Sequence, residues 1–193
     1  MAKHKTYTLI YTIASEFFAK NGYVGTIMGE LAAKCSVNKA SIYYHFKDKE
    51  NLYNVVITTH LENLLKAVLP NAEKALLPQE KLEAFILNYA KHINKAPVLA
   101  SLMMREMASG GIHMPQDAKP LMFKLLVTLS EILREGSEQK VFKEVNPTTI
   151  HFMIMGNINF YVASKPMRSK MTLQKNELNK NFSKHDIKSN ATE

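Results

Sequence analysis

Three features of the chain predict an all-α fold. Apolar residues recur at helical spacing almost throughout, no run alternates apolar and polar residues as a half-buried strand would, and the sparse glycines and prolines fall between the periodic segments. The 193 residues are 46% hydrophobic and 22% charged, which suits a chain with a sizeable core and excludes disorder. The expected architecture is an N-terminal three-helix helix-turn-helix domain over 1–48 and a C-terminal helical domain over 49–193, whose stretch 166–193 is a polar, weakly helical tail.

Each element has a local signature. The first helix is predicted over about Thr6 to Lys20, with Leu9, Ile10, Ile13, Phe17 and Phe18 on one face, and Asn21-Gly22 ends it. Thr26 is a good N-cap for a second helix that turns Ile27, Leu31 and Ala32 inward and stops near Cys35. Asn38 caps a short third helix, Lys39 to about His45, with Ile42 and Phe46 facing in. Asp48 then caps a long fourth helix carrying Leu52, Val55, Val56, Leu61, Leu64, Leu65 and Val68. Further helices are predicted over about Gln79–Asn94, Pro97–Ala108 and Asp117–Arg134, with a break at Gly110-Gly111. Pro147 opens Thr148–Ala163, which is apolar nearly all round, so it either lies centrally or meets a partner chain. Beyond Pro166, Met171, Leu173, Leu178 and Phe182 stripe one weak helix.

Charge points to a polyanion. The net charge is +8, of which +3 falls in residues 1–50 and +4 in residues 165–193, leaving a nearly neutral middle. The same asymmetry would serve a basic helical module that binds RNA or an anionic membrane. A single cysteine, Cys35, permits no internal disulfide and fits a reducing compartment. The start of the chain carries no signal-peptide pattern and no stretch reaches the ~20 apolar residues of a membrane span, so a cytoplasmic protein with no membrane partner is expected.

Thr26 to Phe46 concentrates the chemistry. A short helix places small Ala32 where a second helix must approach closely, Cys35-Ser36-Val37 makes a tight turn, and the capped second helix presents a polar outer face. A helix-turn-helix is laid out in this way, its second helix entering the DNA major groove. Lys39 suits phosphate or guanine, Ala40 lets the backbone come close, and Ser41 bonds phosphate or a base. Tyr43 and Tyr44 offer hydroxyls on rigid rings, and His45 can donate to phosphate. Lys47 and Lys49 flank the start of the fourth helix, where free N–H groups already favour an anion. Lys3 and Lys5 suggest a basic arm along the duplex.

The run Phe17-Phe18-Ala19-Lys20-Asn21-Gly22-Tyr23, then Thr26, Met28, Leu31-Ala32, Val37-Asn38-Lys39 and Ser41 through Leu52, closely resembles the tetracycline-repressor-like (TetR) family over roughly Leu9 to Leu52. The resemblance implies a homodimeric, ligand-responsive regulator, most often a repressor, that binds an inverted-repeat duplex operator. By it, Thr26, Lys39, Ser41, Tyr43, Tyr44, His45 and Lys49 fall on DNA-contacting positions, with Lys49 and Tyr44 on phosphates and Tyr43 in the groove. Ser36 stands where the family usually has Gly, Ala40 where Gly is common, and Ile27 where a hydroxyl residue is usual. The C-terminal half carries a fainter likeness through Arg105-Glu106-Met107, Gly110-Gly111 and Pro147, and implies dimerisation through 148–163 and the segment after 166.

A small, apolar effector would enter among the later helices. Candidate contacts are Phe85, Tyr89, His92, Met103, Met104, Met107, Met122, Phe123, Phe152 and Met155, with Asn88, His92, His151 and Asn159 as polar fixers. Nothing points to an enzyme, a metal or a cofactor. The seven histidines form no His-Glu-x-x-His, Cys35 has no metal-binding companion, and Gly110-Gly111 lacks the Gly-Lys-Ser/Thr of a phosphate loop.

Overall fold

The computed structural model describes residues 2–172, and every regular element among them is an α-helix. The helices are α1 (Ala2–Gly25), α2 (Met28–Lys34), α3 (Lys39–Phe46), α4 (Lys49–Lys74), α5 (Pro78–Lys95), α6 (Pro97–Ala108), α7 (Ala118–Glu138) and α8 (Pro147–Ala163). Residues 165–172 are again helical. Leu173, Leu178 and Phe182, expected to stripe the final helix, lie outside the described residues.

The first helix starts earlier than its apolar pattern. Residues from Ala2 onward are helical, so Lys3 and Lys5 stand on the first turns of α1 and form no extended arm. The Lys3 ammonium lies 4.8 Å over the Tyr44 ring, a cation–π contact that ties the first turn to α3. Gly22 breaks the helix as expected, at φ 73, a left-handed conformation that costs a residue without Cβ little. The buried face is Ile10, Ala14 and Phe18, whereas Leu9 is exposed.

The second helix corrects two expectations. Ile27, not Thr26, is the N-cap, and its extended backbone takes its side chain off the helical period, leaving it 56% exposed. Met28, Leu31, Ala32 and Cys35 form the inner face instead. The turn into α3 closes on Cys35 N–H to Leu31 O, Ser36 N–H to Ala33 O and Val37 N–H to Ala32 O. Ser36 adopts φ 54, so the position where a glycine is usual is left-handed here as well. Ile42 and Phe46 bury the inner face of α3, and Tyr7 of α1 stacks on Phe46 at 4.6 Å. Burying each such side chain stabilises by roughly 1.5–3 kcal/mol, which fixes a three-helix unit too small to stand on propensity alone.

The fourth helix is shared. It packs on α1 and α3 as well as on α5 and α7. Leu52, Tyr53, Val56, Ile57, Leu61, Leu64, Val68 and Ala72 form a buried stripe along its length. The sixth helix touches α1 on one side and α8 on the other, so the two halves of the chain share one continuous core. Gly110 and Gly111, both at φ 71, turn the chain out of α6. Gly136 permits the closing approach at the end of α7, because a Cβ there would sit 2.1 Å from Cδ2 of the Phe142 ring.

The eighth helix does not lie centrally in this chain. Only Met155 and Asn159 are buried, while Phe152, Met153, Phe160 and Tyr161 are each more than half exposed. It is a surface helix with an uncovered apolar face.

Candidate nucleic-acid interface and core cavity

The outer face of α3 is held at both ends by local hydrogen bonds. The Asn38 carboxamide oxygen accepts from Ser41 N–H at 2.7 Å, and the Asp48 carboxylate accepts from Asn51 N–H at 2.7 Å. The Asn51 amide donates to Phe46 O at 2.9 Å, stitching the end of α3 to the start of α4. Lys39, Ala40, Tyr43 and Tyr44 are exposed on this face, Tyr44 at 70%. Ser41 and His45 are half-buried, and the His45 imidazole packs edge-on to Tyr7 and Tyr44. The Lys3 ammonium beside Tyr44 holds that phenol below its usual value. A Cβ on Gly29 would sit 3.1 Å from Lys39 Cε, so the lysine stem lies along α2.

Lys49 is held differently. Its ammonium lies 4.7 Å over the Tyr23 ring and donates to Val24 O at 3.4 Å, and burial lowers its pKa. It thus stands at the N-terminus of α4, beside the end of α1. Thr26 requires a correction. Its side chain is 1% exposed and its hydroxyl donates to Gly22 O at 2.8 Å. It stabilises the kink and offers no free hydroxyl to a phosphate.

Contacts from α6 and the turn after it join this unit to the later helices. Arg105 of α6 donates from Nε to Ala19 O at 2.7 Å and from Nη2 to Lys20 O, closing the end of α1. Tyr53 of α4 donates to the buried Glu106 carboxylate, and burial together with that carboxylate raises the phenol pKa strongly. His113, past the Gly110-Gly111 turn, stacks on Tyr23 at 4.4 Å, the same ring that carries Lys49. Tyr23, Arg105, Glu106 and His113 were not singled out as working residues in the sequence. Only the triplet Arg105-Glu106-Met107 signalled that the place mattered.

A small cavity of about 30 Å³ lies among α4 to α8. Its walls are Leu61, Leu64, Tyr89, Leu99, Met103, Met107, Met122, Leu125, His151, Met155 and Asn159. Tyr89 and Asn159 face each other, with the phenol oxygen 3.0 Å from Nδ2 and 3.2 Å from Oδ1. Burial pushes the Tyr89 phenol up to about 12. His151 Nδ1 is buried without a hydrogen-bond partner, and burial lowers the imidazole pKa. Among the described residues no group of three His, Cys, Asp or Glu could hold a metal ion, and no helix is long and apolar enough to cross a membrane.

Residues 10–56 match the bacterial regulatory proteins of the tetR family, and residues 78–186 match the tetracyclin repressor-like C-terminal domain. The chain belongs to the TetR family. Its helix-turn-helix is similar to that of the HTH-type transcriptional regulator QacR of Staphylococcus aureus, 48% identical over 44 residues, which are 23% of each chain. The HTH-type regulator YvkB of Bacillus subtilis is 27% identical over 134 residues, 67% of this chain and 71% of that one. The negative transcriptional regulator IcaR of S. aureus is 28% identical over 76 residues, 39% of this chain and 41% of that one. The match thus spans about a quarter of QacR and less than half of IcaR. Among solved structures, a linker-substituted HlyIIR mutant superposes with a TM-score of 0.70 at 27% identity, covering 86% of this chain and 88% of that one. AibR, in complex with isovaleryl coenzyme A and operator DNA, has the same fold at 22% identity and a TM-score of 0.70, covering 81% and 85%.

In this TetR-family chain the cavity gathers only part of the expected effector set. Tyr89, Met103, Met107 and Met155 line it, as do Met122, His151 and Asn159. Phe85 is fully buried in the core but not on the cavity wall. His92 and Met104 lie off the wall, and the Asn88 amide donates to Ala84 O of its own helix. Phe123 and Phe152 are corrected outright, being 63% and 58% exposed. Each sits one residue, about 100° of helix turn, from a true lining residue, Met122 and His151. Leu61, Leu64, Leu99 and Leu125 were not among the candidates, because a leucine on an apolar stripe carries no mark that separates cavity wall from core.

Proposed function

We propose that this chain is a repressor that binds an inverted-repeat duplex operator as a homodimer and is released by a small apolar effector. The carrying observation is the outer face of α3, where Lys39, Ala40, Tyr43 and Tyr44 stand exposed on a short helix capped by Asn38 at its start and tied by Asn51 to Phe46 O at its end, with Lys49 beside it. Ala40 admits the backbone to the groove, Tyr43 reaches base edges, and Ser41 and His45 reach phosphates from the flanks. Tyr44 and Lys49 hold phosphates, Lys49 by leaving its weak contact with Val24 O. The likeness to QacR in the helix-turn-helix supports the DNA contact, and the likeness to IcaR, a negative regulator, supports the sign.

The working division is 1–48 for DNA and 49–193 for effector and partner. The homodimer covers the exposed Phe152, Met153, Phe160 and Tyr161 of α8, a face too apolar for lasting exposure to water. Arg168, whose guanidinium lies 3.8 Å over the Tyr161 ring, extends that face into 165–172. An effector shifts the equilibrium only in proportion to its preference for the non-binding arrangement. The Arg105, Glu106 and His113 contacts are the places where a movement of α6 reaches α1 and α4.

The test is operator binding by anisotropy for Tyr43→Ala and Lys49→Ala beside the parent chain. A loss of about tenfold or more in each is expected. Unchanged binding in both would remove α3 and α4 as the DNA face. Equal affinity for single-stranded RNA or anionic vesicles would favour a basic interaction module instead.

A further inference from the structure

The effector cavity proposed above has a lining without charge. No Lys, Arg, Asp or Glu is among its eleven wall residues. An ionised ligand group enters an apolar interior only when paired, because desolvating it costs far more than a hydrogen bond returns. A carboxylate or phosphate would find no cation here, and an ammonium would find no carboxylate. The carboxylate of α6, Glu106, is not on the wall; its Oε1 accepts from Tyr53, and its Oε2 is buried without a partner.

The polar capacity of the wall is nonetheless unspent. His151 Nδ1 is buried and unpartnered, a state that normally calls for a ligand or a water. Asn159 offers two donors and a carbonyl, and Tyr89 alone cannot satisfy them all. His151 and Asn159 lie on the same helix, and both line the same space. Burial lowers the imidazole pKa and so favours its neutral form, which offers a hydrogen bond and no charge.

The rest of the wall can give way. At about 30 Å³ the cavity has room for about one water, whereas ligand sites usually run ~300–1,000 Å³. Met103, Met107, Met122 and Met155 line it, and unbranched thioether side chains repack at low cost. Met107 is 43% exposed and forms the wall nearest solvent.

Resting on the effector reading above, we infer that the ligand is an uncharged amphiphile: an apolar chain or ring system seated among the methionines, with one neutral oxygen function, such as a hydroxyl or carbonyl, bonded to His151 Nδ1, which has no partner in the protein. Organic cations, free fatty acids and coenzyme A thioesters fall outside this class.

The experiment uses the full chain without DNA, so it stands even if no operator is found. Melting is followed with four probes of one chain length: 1-decanol, decanoate, decyltrimethylammonium and decanoyl coenzyme A. Decanol should raise the Tm in a saturable way while the three charged probes do not. His151→Leu should weaken decanol binding about five- to tenfold, the loss of one hydrogen bond, and His151→Asn should recover part of it. The inference is overturned if a charged probe binds as well as decanol, if decanol gives no shift, or if His151→Leu leaves its affinity unchanged. Failure of the DNA reading would appear separately, as absence of operator binding with the decanol response intact.

Discussion

The recognition face is assembled from neighbours in sequence, whereas the cavity draws eleven residues from five helices. Asn38, Lys39, Tyr43, Tyr44, Asp48 and Lys49 lie within a dozen residues, on backbone set by caps and turns closed within three or four positions, while α1 adds side-chain contacts to Tyr44 and Lys49. Leu61, Tyr89, Met103, Leu125 and Met155 meet only because α4 to α8 pack together. A surface built locally is held by backbone chemistry, so its parts can be changed singly. A surface built by packing is held by everything around it, so changes in it spread.

The largest expected effect probes that difference in the packed region. Phe85→Ala empties a fully buried site in α5 and should cost about 3–5 kcal/mol of stability. Denaturant unfolding would measure it, and a loss under 1 kcal/mol would show that the helices collapse independently. Lys49→Ala comes next and should leave the melting temperature nearly unchanged. It should lower operator affinity about tenfold or more and flatten the dependence on log salt by roughly 2, one phosphate from each protomer. An unchanged salt slope would take Lys49 off the phosphates.

Ser36→Gly sharpens the local side. Ser36 holds φ 54, a conformation that costs an L-residue ~1–2 kcal/mol. Glycine relieves it and loses part of the gain to chain entropy, so a net stabilisation of about 1 kcal/mol is expected, with operator affinity unchanged. A destabilised variant would show that the serine side chain contributes something the backbone does not reveal.

The smallest effect is the pH response of the packed region. Burial holds His60, His92 and His151 below their ordinary value near 6.5, reinforced at His60 by His92 and at His92 by Lys95. The unfolded chain therefore takes up these protons first as pH falls. The stability they confer is full above about 6.5 and is lost below it, down to the depressed folded values. The Tm should drop by a few degrees between pH 7.5 and 5.5, and His60→Gln should shrink the drop. An equal drop in that variant would place the titration elsewhere.

The same contrast explains what could be read from the chain. Asn38 and Asp48 were legible as caps because capping is a rule about the next three residues. The α3 span and its inward Ile42 and Phe46 followed from periodicity, and the structure has them. Thr26 looked like a cap and is buried instead, since a kink at Gly22 was needed to bring its hydroxyl under that carbonyl. Phe123 and Phe152 show the limit from the other side. Helix α8 is apolar nearly all round, so no phase in its sequence tells the wall residue His151 from the exposed Phe152. The contacts of Arg105 with Ala19 and Lys20 span more than eighty positions and left no periodic trace.

The most direct test of the central claim is selection of duplexes from a random library by the full chain at near-physiological salt, followed by sequencing. An enriched inverted repeat with half-sites about one helical turn apart, whose binding weakens steeply with salt and is lost in Lys49→Ala, is the predicted result. No enriched sequence, with weak binding at every salt, would contradict the assignment of α3 as a reader of duplex DNA.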